Sequence, residues 1–87
     1  MDTSNLKLIY DLSENNLEKL KELSKGAPIV VDDNGKEIHT KYRGLKTIGG
    51  SILLLCGGDS HNPGYFAGFN LTALRKLKGV SLKVYEK

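Results

Sequence analysis

Cysteine occurs once, at Cys56, which excludes an internal disulfide framework, and with only two histidines the chain is short of the soft ligands a closed structural zinc site needs. Apolar runs are short as well: the longest, Ile52 to Cys56, falls far below the roughly 20 residues of a membrane-spanning helix, so no membrane partner is expected. The leading Met-Asp-Thr-Ser-Asn has neither a basic region nor an apolar stretch of signal-peptide length. A cytoplasmic setting follows, the host's cytoplasm if the source is viral. Aromatic residues are few, and the glycine and aromatic pattern of an RNA-recognition sheet is not among them. Only two arginines are present, so lysine supplies most of the positive charge.

What is there is the composition of one ordinary domain, residues 1–87: 39% hydrophobic, 26% charged, net charge +3. A chain this short hides only about 60–65% of its unfolded surface, which leaves one small core and makes a homo-oligomer the expected source of added stability. The charge is uneven. Residues 36–46 carry Lys36, Lys41, Arg43 and Lys46 against Glu37, while residues 75–87 carry Arg75, Lys76, Lys78, Lys83 and Lys87 against Glu86.

Periodicity predicts the elements. Residues 6–10 alternate loosely and read as a strand. A helix then starts at Asp11 or Ser13, places Leu17, Leu20 and Leu23 inward, and ends at Gly26. Ile29 to Val31 are β-branched, and Asn34-Gly35 supplies a tight turn into a strand over Lys36 to Tyr42. On that strand Ile38, Thr40 and Tyr42 take one face, and Glu37, His39, Lys41 and Arg43 the other. Leu45 to Ile48 reads as a further short strand. Ile52 to Cys56 is apolar throughout and reads as the central strand of the sheet. Seven of the ten glycines lie between Gly44 and Gly68, and residues 57–68 read as one long loop. Asn70 caps a helix that buries Leu71, Leu74 and Leu77, Gly79 closes it, and Val80, Leu82 and Val84 form a last strand. The order of elements suggests an α+β two-layer sandwich of ferredoxin-like type. It would have two βαβ units, an inserted β-hairpin, and two helices on one face of a mixed sheet.

The unusual residues concentrate in the loop. It follows a buried strand and precedes a helix, where glycines let backbone N–H groups approach an anion. The spacing matches neither the P-loop nor the dinucleotide fingerprint, so no named cofactor is implied. The reading is a non-catalytic module that binds or sequesters a small anionic ligand, a nucleotide or cyclic nucleotide signal. Gly57 and Gly58 with the backbone at Ser60 hold phosphate. Ser60, His61 and Asn62 donate hydrogen bonds, Tyr65 or Phe66 stacks on a base, and Arg43 or Arg75 neutralises charge. Small phage-encoded inhibitors of bacterial defence act by such sequestration, a comparison of size and class alone. Phe69, just before the helix cap, is expected in the core.

Cys56, Asp59, Ser60 and His61 form the one cluster with nucleophile and base types. Cys56, at the end of an apolar strand, reads as an inert core thiol, and a slow hydrolase using Cys56 or His61 is the least favoured class. The alternative to a small ligand is a protein or nucleic-acid partner met by the basic hairpin 36–46, with Arg75, Lys76 and Lys78 extending the patch.

Overall fold

A computed structural model describes residues 6–58 and 66–87. In chain order the elements are β1 (Lys7–Asp11), α1 (Glu18–Glu22), β2 (Pro28–Asp33), β3 (Lys36–Ile48), β4 (Ser51–Gly57), β5 (Phe66–Asn70), α2 (Leu71–Arg75) and β6 (Leu82–Glu86). The strands form one sheet in the order β1-β6-β2-β3-β4-β5. Leu20 of α1 and Leu71 of α2 belong to the same core as Ile29, Val31, Tyr42, Leu54 and Val84, so both helices cover one face of that sheet. The chain is a small α+β protein.

The turn between β2 and β3 forms as its Asn-Gly dictates: Asn34 has φ 51° and Gly35 φ 91°, and Asp32 Oδ1 accepts from the Gly35 N–H at 2.7 Å. Strand β3 is thirteen residues long because it serves two neighbours. Lys36 to Lys41 pair with β2, and Tyr42 to Ile48 pair with β4. Leu45 to Ile48 is therefore the continuation of β3, not a separate strand. At the changeover Tyr42 faces Cys56 and Gly44 faces Leu55, which leaves Arg43 as the extra residue of a bulge. A bulge bends its strand and re-aims its side chain. Two arms result, β1-β6-β2-β3 and β3-β4-β5.

The expected mixed sheet does not form: all five described strand pairs are antiparallel. β1 and β2 run the same way on either side of α1, and β6 lies between them and pairs with both, so β1-α1-β2 is a split βαβ unit. The expected second βαβ unit is broken by β5. Phe66 to Asn70 pairs with β4, so the loop read as 57–68 ends before Phe66. Gly68 in the middle of Phe-Ala-Gly-Phe-Asn erased the alternation that marks a strand. Nor is β4 central: it stands fifth of six, with Ile52, Leu53 and Leu55 only half-buried. The centre is β2, where Ile29, Val30 and Val31 are all fully buried between β6 and β3.

Both helices are shorter than their patterns. Asp11 Oδ1 accepts from the N–H and the hydroxyl of Ser13, at 3.0 and 2.8 Å, and this local turn displaces a helical start at Asp11 or Ser13. Helix α1 begins at Glu18, whose N–H donates to Asn16 Oδ1 at 3.1 Å. It buries Leu20 fully, with Leu17 and Leu23 packed at the core's margin. Asn70 caps α2 as expected, its Oδ1 accepting from the Ala73 N–H at 3.0 Å. Helix α2 ends at Arg75, before Leu77 can turn inward, and Leu77 is 58% exposed. Phe69 packs against the core. No helix among the described residues is long and apolar enough to cross a membrane.

Candidate functional site

Strand β4 carries the chain from the core to the glycine pair. Leu54 and Cys56 are buried on the helix-covered side, and Gly57 and Gly58 are buried where the strand ends. The chain returns directly alongside, for Gly57 pairs with Phe66 at the head of β5. The ends of β4 and β5 are thus held side by side in register. Gly58 has φ 74°, a left-handed backbone that a Cβ-bearing residue adopts only under strain.

Arg43 is brought to this point by the bulge. Its Nε donates to the Gly57 carbonyl oxygen at 3.3 Å, tying β3 to the last residue of β4. That bond helps orient the planar guanidinium and its charge at the strand end. Arg43, Gly57 and Gly58 therefore come together, as does the backbone of Phe66 through its pairing with Gly57. Ser60, His61, Asn62 and Tyr65 lie outside the described residues.

Arg75 is elsewhere. It lines two clefts, one of about 230 Å³ with Leu12, Ser13, Leu74 and Val80, the other of about 290 Å³ with Asn15, Ile52, Thr72 and Lys76. Ile52 starts the apolar part of β4 and Gly57 ends it, a separation of ~17 Å along an extended strand. The two arginines thus sit toward opposite ends of β4. Sequence spacing gave no sign of this, because the bulge that aims Arg43 and the early end of α2 are both set by tertiary contacts.

Arg75 also lies close enough to Tyr10 to act on its phenol. Burial raises the Tyr10 pKa, the Arg75 charge opposes that rise, and Asp11 adds to it. The Tyr10 hydroxyl donates to Asn15 Oδ1 at 3.1 Å. Thr72 Oγ1 accepts from the Ile52 N–H at 3.0 Å, so α2 is pinned to the start of β4. Asn15 and Thr72 were missed by reading the sequence. Asn15, at φ 51°, is the one whose residue type carries a turn signal.

Cys56 is buried, and that burial pushes its thiol pKa up, an effect partly offset by a hydrogen bond with the Thr40 side chain. A thiol held neutral and away from solvent is a poor nucleophile. On the other face His39 Nε2 stands 3.5 Å from Glu37 Oε2, its side chain 40% exposed. Lys36, Lys41 and Lys46 are exposed along β3. Among the described residues no group of three or more His, Cys, Asp or Glu is placed to hold a metal ion. No family model, curated protein or solved structure matches this chain. Its site is read from its own geometry.

Proposed function

We propose that this chain binds, without transforming it, a small anionic ligand of the nucleotide class, at the end of β4 where Arg43 meets Gly57 and Gly58. The observation that carries the reading is the 3.3 Å bond from Arg43 Nε to the Gly57 carbonyl oxygen. It sets a permanent positive charge beside a stretch of backbone without Cβ atoms, at the root of a connection that holds Ser60, His61, Asn62 and Tyr65. Backbone N–H groups and a guanidinium are the donors that phosphate recognition uses. In this reading the phosphate takes the glycine pair and Arg43, Ser60, His61 and Asn62 supply hydrogen bonds, and Tyr65 or Phe66 stacks on the base. A module of this kind acts by withholding its ligand, in the cytoplasm if the ligand is a nucleotide signal. The neutral, enclosed Cys56 thiol supports binding over turnover.

Thermal unfolding against mono-, di- and cyclic nucleotides tests the proposal, with inorganic phosphate and pyrophosphate as anion controls. A nucleotide at 100 times its Kd stabilises the fold by about 2.7 kcal/mol, a shift of several degrees or more in a domain this small. The expected result is such a shift with at least one nucleotide, ligand recovered intact after denaturation, and loss of affinity in Arg43→Ala but not in Arg75→Ala. No shift with any nucleotide overturns the reading, and so does an affinity that follows Arg75 and ignores Arg43.

A further inference from the structure

We propose that the helix-free face of the arm β1-β6-β2-β3 is the docking surface for a second copy of this chain. The face follows from the register. Val30 alternates with Ile29 and Val31, both in the core, and so points to the opposite side. Its cross-strand neighbours there are His39 on β3 and Tyr85 on β6, and Tyr85 in turn faces Leu8 on β1. Leu8, Tyr85, Val30 and His39 therefore form one row across four strands. Val30 is fully buried, while Leu8 is 41% exposed although it lies in a row of largely apolar side chains.

The rows on either side carry opposite charge. Two residues along the strands in one direction lie Asp11, Lys83, Asp32 and Glu37, a row of net charge −2. Two residues in the other direction lie Lys87, Pro28 and Lys41, all exposed and of net charge +2. Pro28 pairs with Lys41, and its carbonyl accepts from the Lys87 N–H at 3.3 Å. The face as a whole is neutral, which sets it against a polyanion. Its order of basic, apolar and acidic rows is complementary to itself reversed. A twofold axis lying along the middle row sets Leu8 and Tyr85 on their own copies over the already buried Val30, and turns the row of charge +2 onto the partner's row of charge −2, with Lys87 opposite the partner's Lys83 as the one like-charged pair. Lys41 then faces the partner's Glu37. Such an isologous interface is the commonest way for identical chains to associate.

The patch is about 14 by 13 Å between its outermost Cα positions, taking ordinary strand spacings. That is small for a permanent interface, and the dimer is a reversible one that grows with concentration. Sedimentation velocity over a concentration series tests it. The weight-average mass should rise from 9.6 kDa toward twice that value as concentration increases, and salt should oppose the rise. Lys41→Glu and Glu37→Lys should each weaken association by tenfold or more, and the two combined in one chain should restore it. Circular dichroism melts of the three variants confirm that each is folded. A monomer at every concentration overturns the proposal, as does a dimer indifferent to either reversal, or one that the paired reversal fails to restore. These outcomes are independent of nucleotide binding at Arg43.

Discussion

Asn34 and Ser81, 47 positions apart, bind one another twice. The Asn34 N–H donates to the Ser81 carbonyl oxygen at 2.9 Å, and the Ser81 N–H donates to Asn34 Oδ1 at 2.7 Å. The β2–β3 turn is thereby clamped to the approach of β6. That is the strand which pairs with β2 on one side and β1 on the other, so the clamp helps fix the order of the larger arm.

Replacing Asn34 separates its two roles. Asn34→Asp keeps an acceptor oxygen and tolerance of the left-handed backbone, and should melt within a few degrees of the parent. Asn34→Gly keeps the backbone but strands the Ser81 N–H, at a cost of about 1 kcal/mol. Asn34→Ala loses the acceptor and adds strain at positive φ, for about 2 kcal/mol in all. At roughly 4–8 °C per kcal/mol the three variants are resolved by thermal melts alone.

How much of this was legible depended on whether the signal was local. Asn34-Gly35 announced its hairpin, and alternation placed Thr40 and Tyr42 inward and Lys41 outward along β3, because turn chemistry and the two-residue period act over a few positions. Asn70 was legible as a cap for the same reason. The link from Asn34 to Ser81 was not, nor was the insertion of β6 between β1 and β2, because both pair segments more than 40 residues apart. The uniform hydrophobicity of Ile52 to Cys56 suggested a centre that belongs to Ile29–Val31. A strand under a helix on one side, with half-buried leucines on the other, is as apolar as a strand sealed on both. At the candidate site Gly57 and Gly58 were visible as a pair, but only the bulge explains why Arg43, and not Arg75, reaches them.

That bulge makes a contrast between two glycines. Gly44 has φ 106°, and a Cβ there would stand 3.0 Å from Lys25 Cε. The lysine side chain can swing aside, but the backbone angle cannot change without losing the bulge, so Gly44→Ala should cost on the order of 1–3 kcal/mol. Gly68 meets only an ordinary contact, with Leu55 Cδ2 3.6 Å from its would-be Cβ, and Gly68→Ala should be neutral or slightly stabilising. Urea titrations of the two variants check the order. Adding Lys25→Ala to Gly44→Ala should not recover the loss, since the strain lies in the backbone.

Helix α2, five residues long, is too short to persist by its own hydrogen bonds. It is held by the Asn70 cap, by buried Leu71 and by Thr72, whose hydroxyl oxygen satisfies the Ile52 N–H. Thr72→Val keeps the shape and strands that N–H, and should cost about 1–2 kcal/mol, whereas Thr72→Ser should stay within about 0.5 kcal/mol of the parent. Asn70→Ala should cost about 1 kcal/mol and Asn70→Asp much less. Amide exchange at Ile52 gives a local reading: Thr72→Val should speed it, and Asn70→Asp should leave it unchanged.

Alkaline pH should destabilise the fold through three buried groups. Burial raises the pKa of Cys56, Tyr10 and Tyr42 in the folded chain. In each case the unfolded chain gives up its proton first, so above the unfolded pKa it binds fewer protons than the folded chain and is favoured by rising pH. The stabilising contribution is therefore full below about pH 8.5, where an unfolded thiol begins to ionise. It falls as pH rises toward the folded values, and the tyrosines join from about pH 10. Melting temperature should decline over pH 8–11. Cys56→Ala, though less stable at neutral pH because it leaves a small cavity, should decline more gently between about pH 8.5 and 10. Disulfide-exchange reagent should label Cys56 only as fast as the chain unfolds. Rapid labelling of the native protein, or an unchanged slope in Cys56→Ala, would show that the thiol is open to solvent, and a nucleophilic role for Cys56 would then return to consideration.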